Sequence, residues 1–163
     1  MSTPTEPLRA EHRELVPHLA HILDLADAVT EGTDPELAAR VERIHGFLVE
    51  DLLHHAEVEE LALYPVVARA MGAPEATGTM TKDHVEIGRM VDELGAVRDT
   101  LTGGSITASQ AREIRRLLYG LHAVVKLHFL KEEEVYLPLL DSRLSEVEGL
   151  ALIDALRQAG GAV

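Results

Sequence analysis

Six residues in this chain have the types and spacing to hold metal. They are His12, His55 with Glu59 four positions on, His84, and His128 with Glu132 four positions on. Histidine and glutamate at i and i+4 lie on one side of a helix, so each His-x-x-x-Glu pair offers a nitrogen and an oxygen in one direction. The pattern occurs twice. With His55 laid on His128, Glu59 falls on Glu132, Glu60 on Glu133 and Pro65 on Pro138 without a gap, and Ala10-Glu11-His12 resembles Lys82-Asp83-His84. His12 precedes His55 by 43 positions, and His84 precedes His128 by 44. Two halves of this kind predict a pseudo-two-fold, two-metal site. Nitrogen and carboxylate donors without thiolate suit iron or manganese, with zinc a further choice.

The elements that must position these residues are long helices. Apolar residues recur at three and four positions, seldom at two, and strand signals are absent. Turn residues divide the chain into a block from about Pro7 to Thr30, a second from the Asp34-Pro35 turn to about Met71, a third from about Lys82 to Leu101, and a fourth reaching about Leu140. Asp34 is expected to cap the second block, with Pro35 at its first helical position. Thr107 with Gln110, and Ser145 with Glu148, have the capping-box spacing, which opens the fourth block and a short final helix ending at Gly160-Gly161. The expected fold is all-α: an up-down-up-down four-helix bundle over about residues 7–141, with a C-terminal fifth helix over about 146–158, in one domain spanning 1–163.

Helical periodicity assigns one buried stripe to each long helix. The stripes are Leu8, His12, Leu15, Leu19, Ile22 and Ala26; Ile44, Leu48, Leu52, His55, Glu59, Ala62 and Val66; Met80, His84, Ile87, Val91 and Leu94; and Leu117, Leu121, Val125, His128, Glu132, Val135 and Leu139. Each is apolar apart from the histidines and glutamates. Axial distance agrees, since at 1.5 Å per residue the two histidines of each helical hairpin lie roughly 26–30 Å from their shared turn. Buried carboxylates are costly without a partner, so a metal explains the interruption better than a polar network does.

Composition narrows the function. The chain has 163 residues, no cysteine, nine histidines and a formal charge of -13 from 28 acids against 15 bases. Without cysteine there is no disulfide, thiolate metal site or cysteine nucleophile. Such an acidic surface argues against nucleic acid. Neither a secretory leader nor a membrane span is expected, and the chain reads as soluble and cytoplasmic.

The six residues, with the Glu59-Glu60…Pro65 and Glu132-Glu133…Pro138 tails, resemble the hemerythrin-like family, or HHE cation-binding domain, over roughly residues 8–140. The resemblance implies a non-haem di-iron centre, oxo- or hydroxo-bridged, with Glu59 and Glu132 bridging the irons. Oxygen-carrying members have a second histidine one turn after the third-helix histidine, where this chain has Gly88, and an aspartate where it has Glu132. The broader family, with sensing, iron-handling or peroxide chemistry, is the better match. Donor counting, with the bridging oxygen included, leaves about two coordination positions open on two six-coordinate ions, as a reactive centre requires. Dioxygen, peroxide or nitric oxide are the expected ligands, with weak peroxide decomposition the candidate activity and no catalytic residue beyond the metal ligands. The alternatives are an iron-binding or storage module without turnover and a partner-signalling domain.

Three further residues are candidates for the surroundings of the site. Tyr136 stands four after Glu132, His54 competes with His55, and His122 lies within two turns of His128. His18, His21 and His45 are expected to pack or face solvent. Pro65 and Pro138 are expected to kink their helices.

Overall fold

The computed structural model describes residues 3–161. Helix α1 (Glu6–Ala28) carries Pro7 in its first turn, where the missing N–H leaves no intrahelical bond unmade. The second long rod is composite. It runs through α2 (Leu37–Phe47), a π-helical turn (Leu48–Leu52), α3 (Leu53–Val58), a second π turn (Glu59–Leu63) and α4 (Tyr64–Met71). Gly72 ends it with φ 66°, a left-handed conformation in which glycine avoids the Cβ clash. Residues 72–77 then lead to α5 (Gly78–Arg98). The fourth rod comprises α6 (Ala108–Lys131), a π turn (Glu132–Tyr136) and α7 (Leu137–Arg143), before α8 (Glu146–Gly160). Both expected capping boxes form, at Thr107 with Gln110 and at Ser145 with Glu148. The all-α bundle and its short C-terminal helix are therefore present.

Several boundaries differ from the sequence reading. Asp34 does not cap the second rod directly. Its carboxylate accepts the Glu36 N–H at 2.9 Å, a turn that delays the helix to Leu37. The third rod runs four residues earlier at its start than expected, at Gly78. One short ladder exists despite the lack of strand signal: β1 (Gly32–Thr33) pairs antiparallel with β2 (Ser105–Ile106), joining the two turns at that end of the bundle. Gly104, at φ 71°, passes so close to Pro35 that a Cβ would sit 3.0 Å from its Cα.

The π turns change which residues are buried. A π turn adds one residue to a helical turn, so positions beyond it shift by one. Tyr64 N–H bonds to the Glu59 carbonyl and Leu137 N–H to the Glu132 carbonyl, each five residues back. Past these points the expected stripe fails. Val67 is buried instead of Val66, and Leu137 and Leu140 instead of Val135, which is 54% exposed, and Leu139. Pro65 and Pro138 each follow a π turn by one residue, so the disturbance expected from proline takes this form.

Two apolar clusters build the core. The larger includes Leu15, Leu52, Ile87, Val125 and Phe129, and the smaller includes Leu8, Val58, Met80, Leu137 and Leu156. Along every rod the stripe passes from one cluster to the other through a histidine: Leu8–His12–Leu15, Leu52–His55–Val58, Met80–His84–Ile87, and Val125–His128–Leu137. A polar layer thus divides the interior.

Candidate metal centre

His12, His55, Glu59, His128 and Glu132 are buried in that layer, and the His84 side chain is 10% exposed. The imidazoles form two pairs. His12 Nε2 lies 3.1 Å from His55 Nε2, and His84 Nε2 lies 3.0 Å from His128 Nε2. Each glutamate reaches both pairs. Glu59 Oε1 is 2.9 Å from His55 Nε2 and 3.6 Å from His12 Nε2, while Oε2 is 3.2 Å from His84 Nε2 and 3.5 Å from His128 Nε2. Glu132 Oε2 is 3.3 Å from His12 Nε2, and Oε1 is 3.5 Å from His128 Nε2. Two donor groups result, His12–His55–Glu59–Glu132 and Glu59–His84–His128, with Glu59 in both.

The outward nitrogens are anchored by four carboxylates that obey the same repeat. His12 Nδ1 meets Glu133 at 2.7 Å and His84 Nδ1 meets Glu60 at 2.8 Å, equivalent residues that each follow a buried glutamate. His55 Nδ1 meets Glu11 at 2.8 Å and His128 Nδ1 meets Asp83 at 3.3 Å, equivalent residues that each precede a lone histidine. Donation at Nδ1 fixes the ring orientation and leaves the Nε2 lone pair pointing inward, the arrangement that metal-binding histidines use. The repeat contains all four carboxylates, but helical periodicity places them beside the buried stripe and gives them no role.

Acceptors crowd the middle of the layer. Glu59 Oε1 and Glu132 Oε2 are fully buried without a hydrogen-bond partner. Buried oxygens in that state are costly, and a cation satisfies them together with the inward lone pairs. The side chains alone balance charge through protons on the imidazoles. Burial would lower the pKa of His12, but the neighbouring Glu132 and Glu59 carboxylates outweigh that and raise it to about 9. His55 is likewise raised against burial, by the Glu59 charge and by Glu11, to about 10. Glu59 is held well below the usual carboxylate range, its burial outweighed by His55, His12 and His128. Glu132 is pushed up, first by burial and then by the charge of Glu59.

Tyr64 is the residue that sequence reasoning missed. Its hydroxyl donates to Glu132 Oε1 at 3.0 Å and lies 3.3 Å from His84 Nε2. Burial and the nearby Glu59 and Glu132 carboxylates push its ionisation far up, so it stays protonated. Tyr136, the expected tyrosine, donates instead to the Ala76 carbonyl at 3.1 Å. The reason is the π turn: Tyr64 is five residues past Glu59, whereas Tyr136 is only four past Glu132. Its position just before Pro65 was the available signal.

His54 and His122 belong to neither donor group. His54 lines a surface cavity with Glu11 and His55, and His122 is half-buried on α6. His18 stacks on Phe47 at 4.2 Å, His21 meets His18 edge-on, and His45 bonds Arg98 at 2.9 Å. Among the described residues, no helix is long and apolar enough to cross a membrane.

A family model described as the hemerythrin HHE cation binding domain matches residues 3–140, the bundle up to the middle of α7. No curated protein and no solved structure matches the chain.

Proposed function

The chain belongs to the hemerythrin HHE cation-binding family, and from that premise we propose that His12, His55, Glu59, His84, His128 and Glu132 hold two metal ions, with iron the best-suited. The observation that carries the proposal is the acceptor-rich layer, in which buried glutamates with orphaned oxygens span two imidazole pairs. Four inward nitrogens and four carboxylate oxygens make eight donor atoms, whereas two six-coordinate ions take about twelve. Small ligands can fill the difference, so we infer a centre that reacts with dioxygen, peroxide or nitric oxide rather than a closed structural site. Such a pair of ions, when bound, supplies redox electrons and open positions for a small ligand.

The protein's own part is to orient, shield and supply a hydrogen-bond donor. Glu11, Glu60, Asp83 and Glu133 hold the four rings in place through Nδ1. The two apolar clusters exclude water on both sides of the layer. Tyr64 keeps a proton on its hydroxyl beside Glu132 and His84, where it can donate to a ligand at the edge of the centre.

Metal analysis of the purified protein, with absorption spectra before and after peroxide or nitric oxide, tests this reading. About two irons per chain and a ligand-dependent spectrum are expected. A protein that carries no iron and gives no spectral change with dioxygen, peroxide or nitric oxide would overturn it. Peroxide decomposition over many turnovers, rather than a single saturating change, distinguishes an enzyme from an iron-storing module.

A further inference from the structure

The repeat makes any difference between its halves informative. Phe129 follows His128 and stacks on His12 at 4.6 Å, covering that ring. The equivalent residue after His55 is Ala56. Arg9 stands three residues before His12 and pairs with both Glu133 and Asp141, closing the surface there. The residue three before His84 is Thr81, whose hydroxyl donates to Glu60 at 3.0 Å and reaches no further across the surface. A large ring and a bound arginine close one side, and alanine and threonine stand at the matching places on the other.

A cavity of about 530 Å³ lies on that second side, lined by Leu53, Ala56, Leu61, Thr81, His84 and Val85, with Glu57 and Glu60 also on its wall. His84 is the most exposed of the four inward histidines, at 10% of its side chain against 2–4% for the others. Leu61, on the second rod, and Val85, on α5, are 72% and 69% exposed and give its wall an apolar surface. Apolar walls admit uncharged ligands at little desolvation cost, and the two carboxylates repel anions. A second cavity, of about 390 Å³, reaches His55, but Glu11, Glu14, Glu50 and Asp51 line it and Leu156, Arg157 and Gly160 of α8 border it. The two openings differ in chemistry.

We propose that the Ala56 cavity beside His84 is the route by which uncharged small ligands reach the centre, selecting them over anions. This rests on the reading of the layer as a reactive metal centre, but the cavity can be tested without metal. In metal-free protein under xenon pressure, methyl resonances of Ala56, Leu53 and Val85 should shift. Ala56→Phe, which installs the residue found in the other half, should abolish the shifts of Leu53 and Val85, and Val85→Trp should reduce those of Leu53 and Ala56. In iron-loaded protein both variants should keep their metal content and slow nitric oxide binding at least tenfold, with azide binding, slow already, changing much less. Unshifted methyls in the wild type would overturn the proposal. So would a full metal load with unchanged nitric oxide rates in both variants, which places the route at the His55 cavity. If no variant or wild-type protein takes up metal, the functional reading fails, and the xenon result alone decides whether the cavity admits apolar atoms.

Discussion

Tyr64 has no equivalent in the other half, where Leu137 takes its place, so the hydroxyl breaks the symmetry of the duplicated inward histidines and glutamates. Replacing it with phenylalanine should leave the iron content intact and slow the reaction with peroxide about tenfold or more, since a positioned hydrogen-bond donor contributes on that scale. The same variant should lose about 1–2 kcal/mol in denaturant unfolding, because Glu132 Oε1 loses its donor in a buried site. Tyr136→Phe should change neither rate nor spectrum, its hydroxyl being engaged with Ala76. A peroxide rate that falls equally in both variants would contradict this assignment. The carboxylates behind the rings can be tested in the same way. Glu60→Gln and Glu133→Gln should each weaken metal affinity about 10–100-fold, measured by competition with a chelator, while leaving the fold intact. At this scale the sequence was legible wherever chemistry and repeat coincide, as at the six inward donors. Glu11, Asp83, Glu60 and Glu133 were visible in the repeat, yet only three-dimensional packing reveals that they reach across to a neighbouring helix.

The helices themselves were legible from apolar period and caps, and the stripes hold as far as Glu59 and Glu132. Beyond those residues a count of 3.6 per turn assigns the wrong face, because hydrogen bonds five residues back insert an extra position. Nothing in the local residue types announces these two π turns except the proline after each, the π turn at Leu48–Leu52 has no such proline, and proline is compatible with several kinds of distortion. Two glycines of α5 give opposite tests of how tightly this element is packed. A Cβ at Gly88 would meet nothing within 4 Å, so Gly88→Ala should raise stability by about 0.5–1 kcal/mol through helix propensity. A Cβ at Gly95 would come within 2.8 Å of the His45 ring, which is held by Arg98. Gly95→Ala should therefore be destabilising by about 1–3 kcal/mol, as overpacking usually is. Thermal or urea unfolding of the two variants checks the sign of each, and stabilisation of both would mean that His45 moves aside freely.

For the whole molecule the polar layer matters most, since it separates two apolar clusters that would otherwise form one core. If ions bind there, folding and metal binding are linked, and every free metal concentration well above the dissociation constant adds stability. At a hundredfold excess that addition is about 2.7 kcal/mol, which for a chain of this size corresponds to a fall in Tm of about 5–10 °C when a chelator strips the protein. Calorimetry with and without chelator measures it, and an unchanged Tm would show that the layer does not depend on a cation. The linker at residues 72–77 gives this dependence a further meaning. Residues 3–71 bring His12, His55 and Glu59, and the residues beyond the linker bring His84, His128 and Glu132. The large cluster draws on both sets, and the β1–β2 ladder joins their turns. In effect the chain is a heterodimer whose two subunits share one peptide backbone, and the linker is its only covalent tie among the described residues. Cut there, the hairpins would be expected to reassociate with the ion as a stoichiometric component of the complex.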